Sequence, residues 1–190
     1  MTQAASVNIE VTPRNAGITV ARQMTLAEVN ALPAEPFAAA LGHLFEHSPW
    51  VAEAAWKLRP FADRAALHRA LCAALRGAPA ARQLELIRAH PDLAGRLAQM
   101  GRLTAASTRE QASAGLDRLT PEELAEFQQA NAQYREKFGF PFVICARLND
   151  RGAILAALRR RVGHSPAEET EAALSEIEKI AWLRLQDAVQ

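Results

Sequence analysis

Cysteine is almost missing from this chain. Only two occur among 190 residues, Cys72 and Cys145, both in apolar contexts and without metal-ligand or CxxC spacing. A disulfide-stapled scaffold is excluded, and the pair reads as reduced core residues of a cytoplasmic protein. Long apolar runs are missing too, since nothing approaches the roughly 18 residues of a membrane span. The first 23 residues mix acidic and basic groups without a hydrophobic signal core. Export is therefore not expected, and the closing Ala188-Val189-Gln190 is no peroxisomal tripeptide. Neither charge dominates: Lys and Arg number 22 against 21 Asp and Glu, for a net charge of +1. That gives no reason to expect nucleic acid or a membrane as a partner. GxGxxG, Walker, HExxH and GxSxG patterns are all absent. Among the five histidines, His43 and His47 stand one turn apart but lack a third ligand. Neither a metal nor an organic cofactor is expected, so any chemistry falls to side chains alone.

What the sequence does have is helix punctuation. Its length suits one domain able to bury a core without staples. Capping boxes stand at Thr25–Glu28, Thr120–Glu123 and Ser165–Glu168, the last two with proline at the first helical position. Helices are expected from Thr25 to Pro33 and over 37–47, 50–58, 64–75, 79–89, a short stretch around 107–116, 120–138, 150–162 and 165–189, with prolines and glycines at their limits. Phe37, Phe45, Trp50, Trp56 and Phe61 fall at helical spacings and read as core, not as a ligand platform. Residues 1–23 show no period beyond a brief alternation of Val7, Ile9 and Val11, and are expected to form an extended or poorly ordered tail. The reading is an all-α fold: one compact multi-helix domain over 24–190.

Four places depart from this pattern. His90 precedes Pro91, and a residue before proline is pushed out of the helical region. With Pro91 suited to a first helical turn, His90 sits at a helix junction near a positive helix end, which favours its neutral imidazole. It is either a capping or merely exposed histidine, or a proton handler near neutral pH. Just downstream, Ser107, Glu110, Gln111 and Ala114 share one helix face, which is either solvated or a polar set aimed at a ligand. Arg184 falls between Ile177 and Ile180 within the apolar arc of the last helix. It snorkels, pairs with an acid, or clamps a carboxylate ligand. Between the last helices lies 138–146, an apolar extended segment without a partner strand. Its backbone groups must bond to something: a ligand with amide-like edges, buried water or a neighbouring helix end.

Taken together, His90-Pro-Asp-Leu-Ala-Gly, Ser107-Thr-Arg-Glu110-Gln111 and Phe138-Gly-Phe-Pro-Phe-Val-Ile-Cys-Ala-Arg147 resemble the 2-oxo-4-hydroxy-4-carboxy-5-ureidoimidazoline (OHCU) decarboxylase family of urate degradation. The likeness runs from about Leu26 to the C-terminus and takes in the Phe45-to-Trp50 and Ile180-to-Leu185 stretches. Trp182 stands where a more polar residue is expected. The resemblance implies an all-helical, usually dimeric enzyme that converts OHCU to (S)-allantoin without metal or organic cofactor. It implies His90, Glu110 and Arg184 as catalytic residues, with His90 the proton donor. It also implies Pro91, Ser107 and Gln111, and the backbone at Phe142, Val143, Ile144, Cys145 and Ala146, as substrate-binding positions. A helical interaction module and a non-catalytic small-ligand binder are the alternatives. The first expects no cavity around His90.

Overall fold

The computed structural model describes residues 23–95, 100, 101 and 103–190. The tail expected at 1–23 lies outside the described residues, apart from Gln23, and so does the alternating stretch at 7–11. Among the described residues every regular element is a helix. Its helices are α1 (Leu26–Ala31), α2 (Ala34–Leu41), α3 (Trp50–Trp56), α4 (Arg64–Arg76), α5 (Ala80–Ala89), α6 (Ala105–Ser113), α7 (Pro121–Phe138), α8 (Arg151–Arg161) and α9 (Pro166–Ala188). Short 3-10 turns occupy Gly42–Leu44 and Ala146–Leu148. Extended pairing is confined to one parallel bridge, Met24 with Val189, which ties the start of the described chain to its end.

Local chemistry explains most boundaries. All three capping boxes form, on Thr25, Thr120 and Ser165, and Gly139 closes α7 at φ 73°, a left-handed conformation that a side chain would disfavour. The stretch expected as one helix over 37–47 is instead α2, begun earlier at Ala34, and a 3-10 turn. Gly42 permits that turn because a Cβ there would stand 2.9 Å from the Cβ of Pro49. Pro91 opens no helix within 91–95, where the chain makes a turn.

The core gathers around α9, which packs on α4, α5 and the Gly42–Leu44 turn; α3 packs on α4 and α2 on α3, and α7 pairs with α8. Phe37, Phe45, Phe127, Tyr134 and Phe142 are fully buried, each worth on the order of 1.5–3 kcal/mol in removal from water. Trp50 and Trp56 pack against the core that the spacing suggested but are not fully enclosed by it. They are half-buried, and the guanidinium carbons of Arg82 and Arg59 lie 4.5 and 4.1 Å from their ring centroids. The buried face of α9 carries Ala173, Leu174, Ile177, Ile180, Ala181 and Leu185, and also two charged residues, Glu169 and Arg184.

Candidate active site

Proline shapes the first wall of the site. Because His90 cannot stay helical before Pro91, α5 stops at Ala89 and His90 turns to φ −72°, ψ 141°. Its backbone N–H returns to Ile87 O at 3.2 Å, and its ring Nδ1 meets Leu86 O at 2.9 Å. A carbonyl only accepts, so Nδ1 carries the proton and Nε2 is left with the lone pair. The ring is 7% exposed. Burial pushes its pKa below the ordinary value; the Leu86 bond and the Glu46 carboxylate push it up, and Arg184 pushes it down. The neutral imidazole expected from a helix end is thus favoured by burial instead.

Helix α6 supplies the second wall. Thr104 caps it, accepting from Ser107 N at 3.2 Å, and the face of Ser107, Glu110 and Gln111 points inward. Gln111 holds the turn that follows His90: its Oε1 accepts Ala94 N–H at 3.0 Å, and its Nε2 donates to Asp92 O at 3.4 Å. Ala94 has φ 51°, a left-handed conformation that costs a non-glycine residue energy and that this bond helps to keep.

Arg184 closes the site from α9, and all of its donors are engaged. Nε and Nη2 grip Glu110 bidentately, both at 2.7 Å. Nη1 reaches Glu46 Oε2 at 3.2 Å and the carbonyls of His43 and Leu44 at 3.4 and 3.5 Å, and Nη2 also reaches Ser107 Oγ at 3.4 Å. Of the three possibilities open for this arginine, the structure shows pairing with acids. Burial would lower the arginine's pKa, but Glu110 and then Glu46 outweigh it and hold the charge in place. Glu46 is the residue that sequence reasoning missed. It is 4% exposed, accepts from Ser107 Oγ at 3.3 Å and faces His90 electrostatically. Its signal was the same as that of Arg184, a charge set among apolar neighbours, here between Leu44, Phe45 and Pro49.

His90, Pro91, Ser107, Glu110, Gln111 and Arg184 line one small cavity, together with Phe142, Val143, Ile144 and Ala146. Leu93 and Ile180, not anticipated, complete it. Of the positions proposed from sequence, Cys145 alone does not line the cavity. Its N–H is taken by Glu176 Oε2 at 2.9 Å, and burial first, then Glu176, raises its thiol pKa. The extended segment finds its partners in side chains, because Val143 O accepts from Arg161 Nη1 at 2.9 Å. Among the described residues no cluster of His, Cys, Asp or Glu is arranged to hold a metal ion.

The arrangement offers one uncharged ring nitrogen, one guanidinium shared by two carboxylates, and a stretch of main chain, all around a small cavity. Comparison with known proteins gives this set a context. The OHCU decarboxylase family model matches residues 30–186. The chain is 45% identical to the 2-oxo-4-hydroxy-4-carboxy-5-ureidoimidazoline decarboxylase of Amia calva over 167 residues, 88% of this chain and 95% of that one. It is 46% identical to the enzyme of the same name from Haloferax volcanii, covering 87% of this chain and 96% of the relative. A crystal structure of (S)-allantoin synthase superposes with a TM-score of 0.72 at 33% identity, over 88% of this chain and about half, 54%, of the other.

Proposed function

The chain belongs to the OHCU decarboxylase family, and from that premise we propose that it decarboxylates OHCU to (S)-allantoin in urate breakdown, with His90 handling the proton. The activity is that of a carboxy-lyase. The observation that carries the reading is the convergence of His90, Glu110, Arg184, Phe142, Val143, Ile144 and Ala146 on one cavity. An interaction module had no need of such a cavity.

The reaction breaks the bond between the ring carbon and the carboxylate. CO₂ leaves, the electron pair passes into the adjacent ring imine, and the carbon then takes a proton, so each turnover consumes one. His90 rests with its proton on Nδ1, bonded to Leu86 O. To donate from Nε2 it must first take up a proton, and Glu46 and Glu110 favour that cation while Arg184 opposes it. Arg184 meets the substrate by sharing its guanidinium. Glu110 is the carboxylate better placed to yield, its side chain being 13% exposed where that of Glu46 is 3%. Main-chain amides at Phe142, Val143, Ile144 and Ala146 suit the ring and ureido edges of a planar ligand.

We further propose a homodimer of the chain in the cytoplasm. The family resemblance supports the dimer, and two unpaired cysteines suit a reducing compartment. Among the described residues no helix is long and apolar enough to cross a membrane. Sedimentation at micromolar concentration checks the dimer, and a monomer there removes it.

The test is to supply freshly prepared OHCU and follow the optical rotation of the allantoin formed. Expected is faster decay with an excess of the S form; racemic allantoin at the uncatalysed rate overturns the reading. His90→Asn should lower turnover by at least about 10²-fold, the usual size of an acid–base contribution.

A further inference from the structure

Two charged side chains hold the cavity-lining segment from opposite ends. Nη1 of Arg161 donates to Val143 O at 2.9 Å, and the guanidinium lies over the Phe142 ring, 4.5 Å from its centroid. Glu169 fixes that guanidinium, accepting from Nε at 3.0 Å and from Nη2 at 2.5 Å. The same carboxylate takes the Tyr134 hydroxyl, and the Tyr134 ring meets Phe142 edge-on at 5.2 Å. The contacts form a closed circuit that runs from Phe142 through Tyr134, Glu169 and Arg161 back to Val143. Beyond Ile144 a second anchor begins. Glu176 Oε2 accepts Cys145 N–H at 2.9 Å, and Asn149 Nδ2 donates to Cys145 O at 2.9 Å.

Ile144 lies between the two anchors, lines the cavity, and has no partner for its N–H or C=O among the described residues. A backbone amide left unpaired in a buried place is costly unless a ligand or water completes it. Bonds to charged groups are stronger than neutral ones, so two such bonds on its flanks keep this amide from collapsing onto a partner of its own. We infer that Arg161 and Glu176 are positioning residues for the decarboxylation, fixing the main chain on both sides of Ile144 so that its amide stays presented to the substrate. The inference rests on the function proposed above. Neither residue lines the cavity, so both act through the main chain they hold.

Glu176 allows a clean test, because its other partner is only the half-exposed Lys179. Glu176→Gln keeps an oxygen to accept Cys145 N–H, whereas Glu176→Ala removes it. Expected for Glu176→Ala is a fall in kcat/KM of about 10- to 100-fold, the scale of a displaced binding group, with a melting temperature close to wild type. Glu176→Gln should recover most of that loss. Arg161→Lys, assayed well below its own melting temperature, should also lose kcat/KM. It keeps the charge but cannot serve Glu169 and Val143 O with one planar fork. Wild-type kinetics in Glu176→Ala, or in Arg161→Lys, overturn the inference, as does a Glu176→Gln as impaired as the alanine variant. Absence of OHCU turnover in the wild-type protein is the distinct result that overturns the proposed function itself.

Discussion

Arg161 and Arg184 lie on successive helices, each 5% exposed and each answered by glutamate, yet they are built differently. Around Arg161 one carboxylate, Glu169, collects every donor in reach: the guanidinium, the Tyr134 hydroxyl and His164 Nδ1 at 2.8 Å. One guanidinium meets one carboxylate, and the Tyr134 hydroxyl and the His164 ring fill its remaining lone pairs. Burial and then the Glu169 bond push the Tyr134 hydroxyl's pKa well above its usual range, so it serves as a donor only. Around Arg184 two carboxylates divide one guanidinium, leaving a formal excess of one negative charge beside a buried imidazole and an open cavity. A balanced centre holds the fold and, through Val143 O, the cavity wall. An unbalanced one has reason to take up a proton or rearrange around a ligand, and that is where the proposed chemistry lies.

Removing one carboxylate from each centre breaks the comparison if the two respond alike. The largest effect is expected at the sealed centre. Glu169→Gln leaves Arg161 buried without a counter-charge and should cost about 3–5 kcal/mol in chemical denaturation. At the cavity, Glu110→Gln keeps a carbonyl for one N–H of Arg184, and Glu46 still neutralises it. Stability should fall by no more than about 1.5 kcal/mol, while turnover drops by about 10²-fold. Equal stability losses in the two variants would mean that both arginines are structural. The smallest effect sharpens the charge argument. With His90 required as a cation before it donates, kcat/KM should decline as pH rises and that cation is lost. Glu46→Gln removes a charge that raises the His90 pKa, so the decline should move to lower pH. A profile left in place, or moved upward, removes Glu46 from the proton step.

The sequence disclosed the site unevenly, for physical reasons. His90 was readable because a proline acts on its neighbour whatever the tertiary context, and the face of Ser107, Glu110 and Gln111 because helical phase is local. Arg184 declared its burial through the apolar arc but not its partners. Those partners depend on how α6 and the 42–49 turn close over α9. Glu46 was hidden for that reason: its place depends on the 3-10 turn that Gly42 permits against Pro49. Arg161 ends a run of three arginines, Arg159 to Arg161, which reads as an ordinary basic helix end. Only the fold separates the member that turns inward. The half-burial of Trp50 and Trp56 was missed because helical spacing reports a face, not how completely a neighbour covers it.

Helix α9 carries Glu169, Glu176 and Arg184 along one rod, so it sets an angle and a length at once. Glu169 and Arg184 stand about 22 Å apart at 1.5 Å of rise per residue. One residue inserted between them would turn Arg184 by about 100° and swing it out of the cavity. Seven inserted residues nearly restore the angle, drifting by about 20°, but push the guanidinium about 10 Å too far along. No insertion length satisfies both conditions. Among relatives of this chain, then, loops are free to grow and shrink, but the span from Glu169 to Arg184 should keep a constant count of residues whatever its composition becomes.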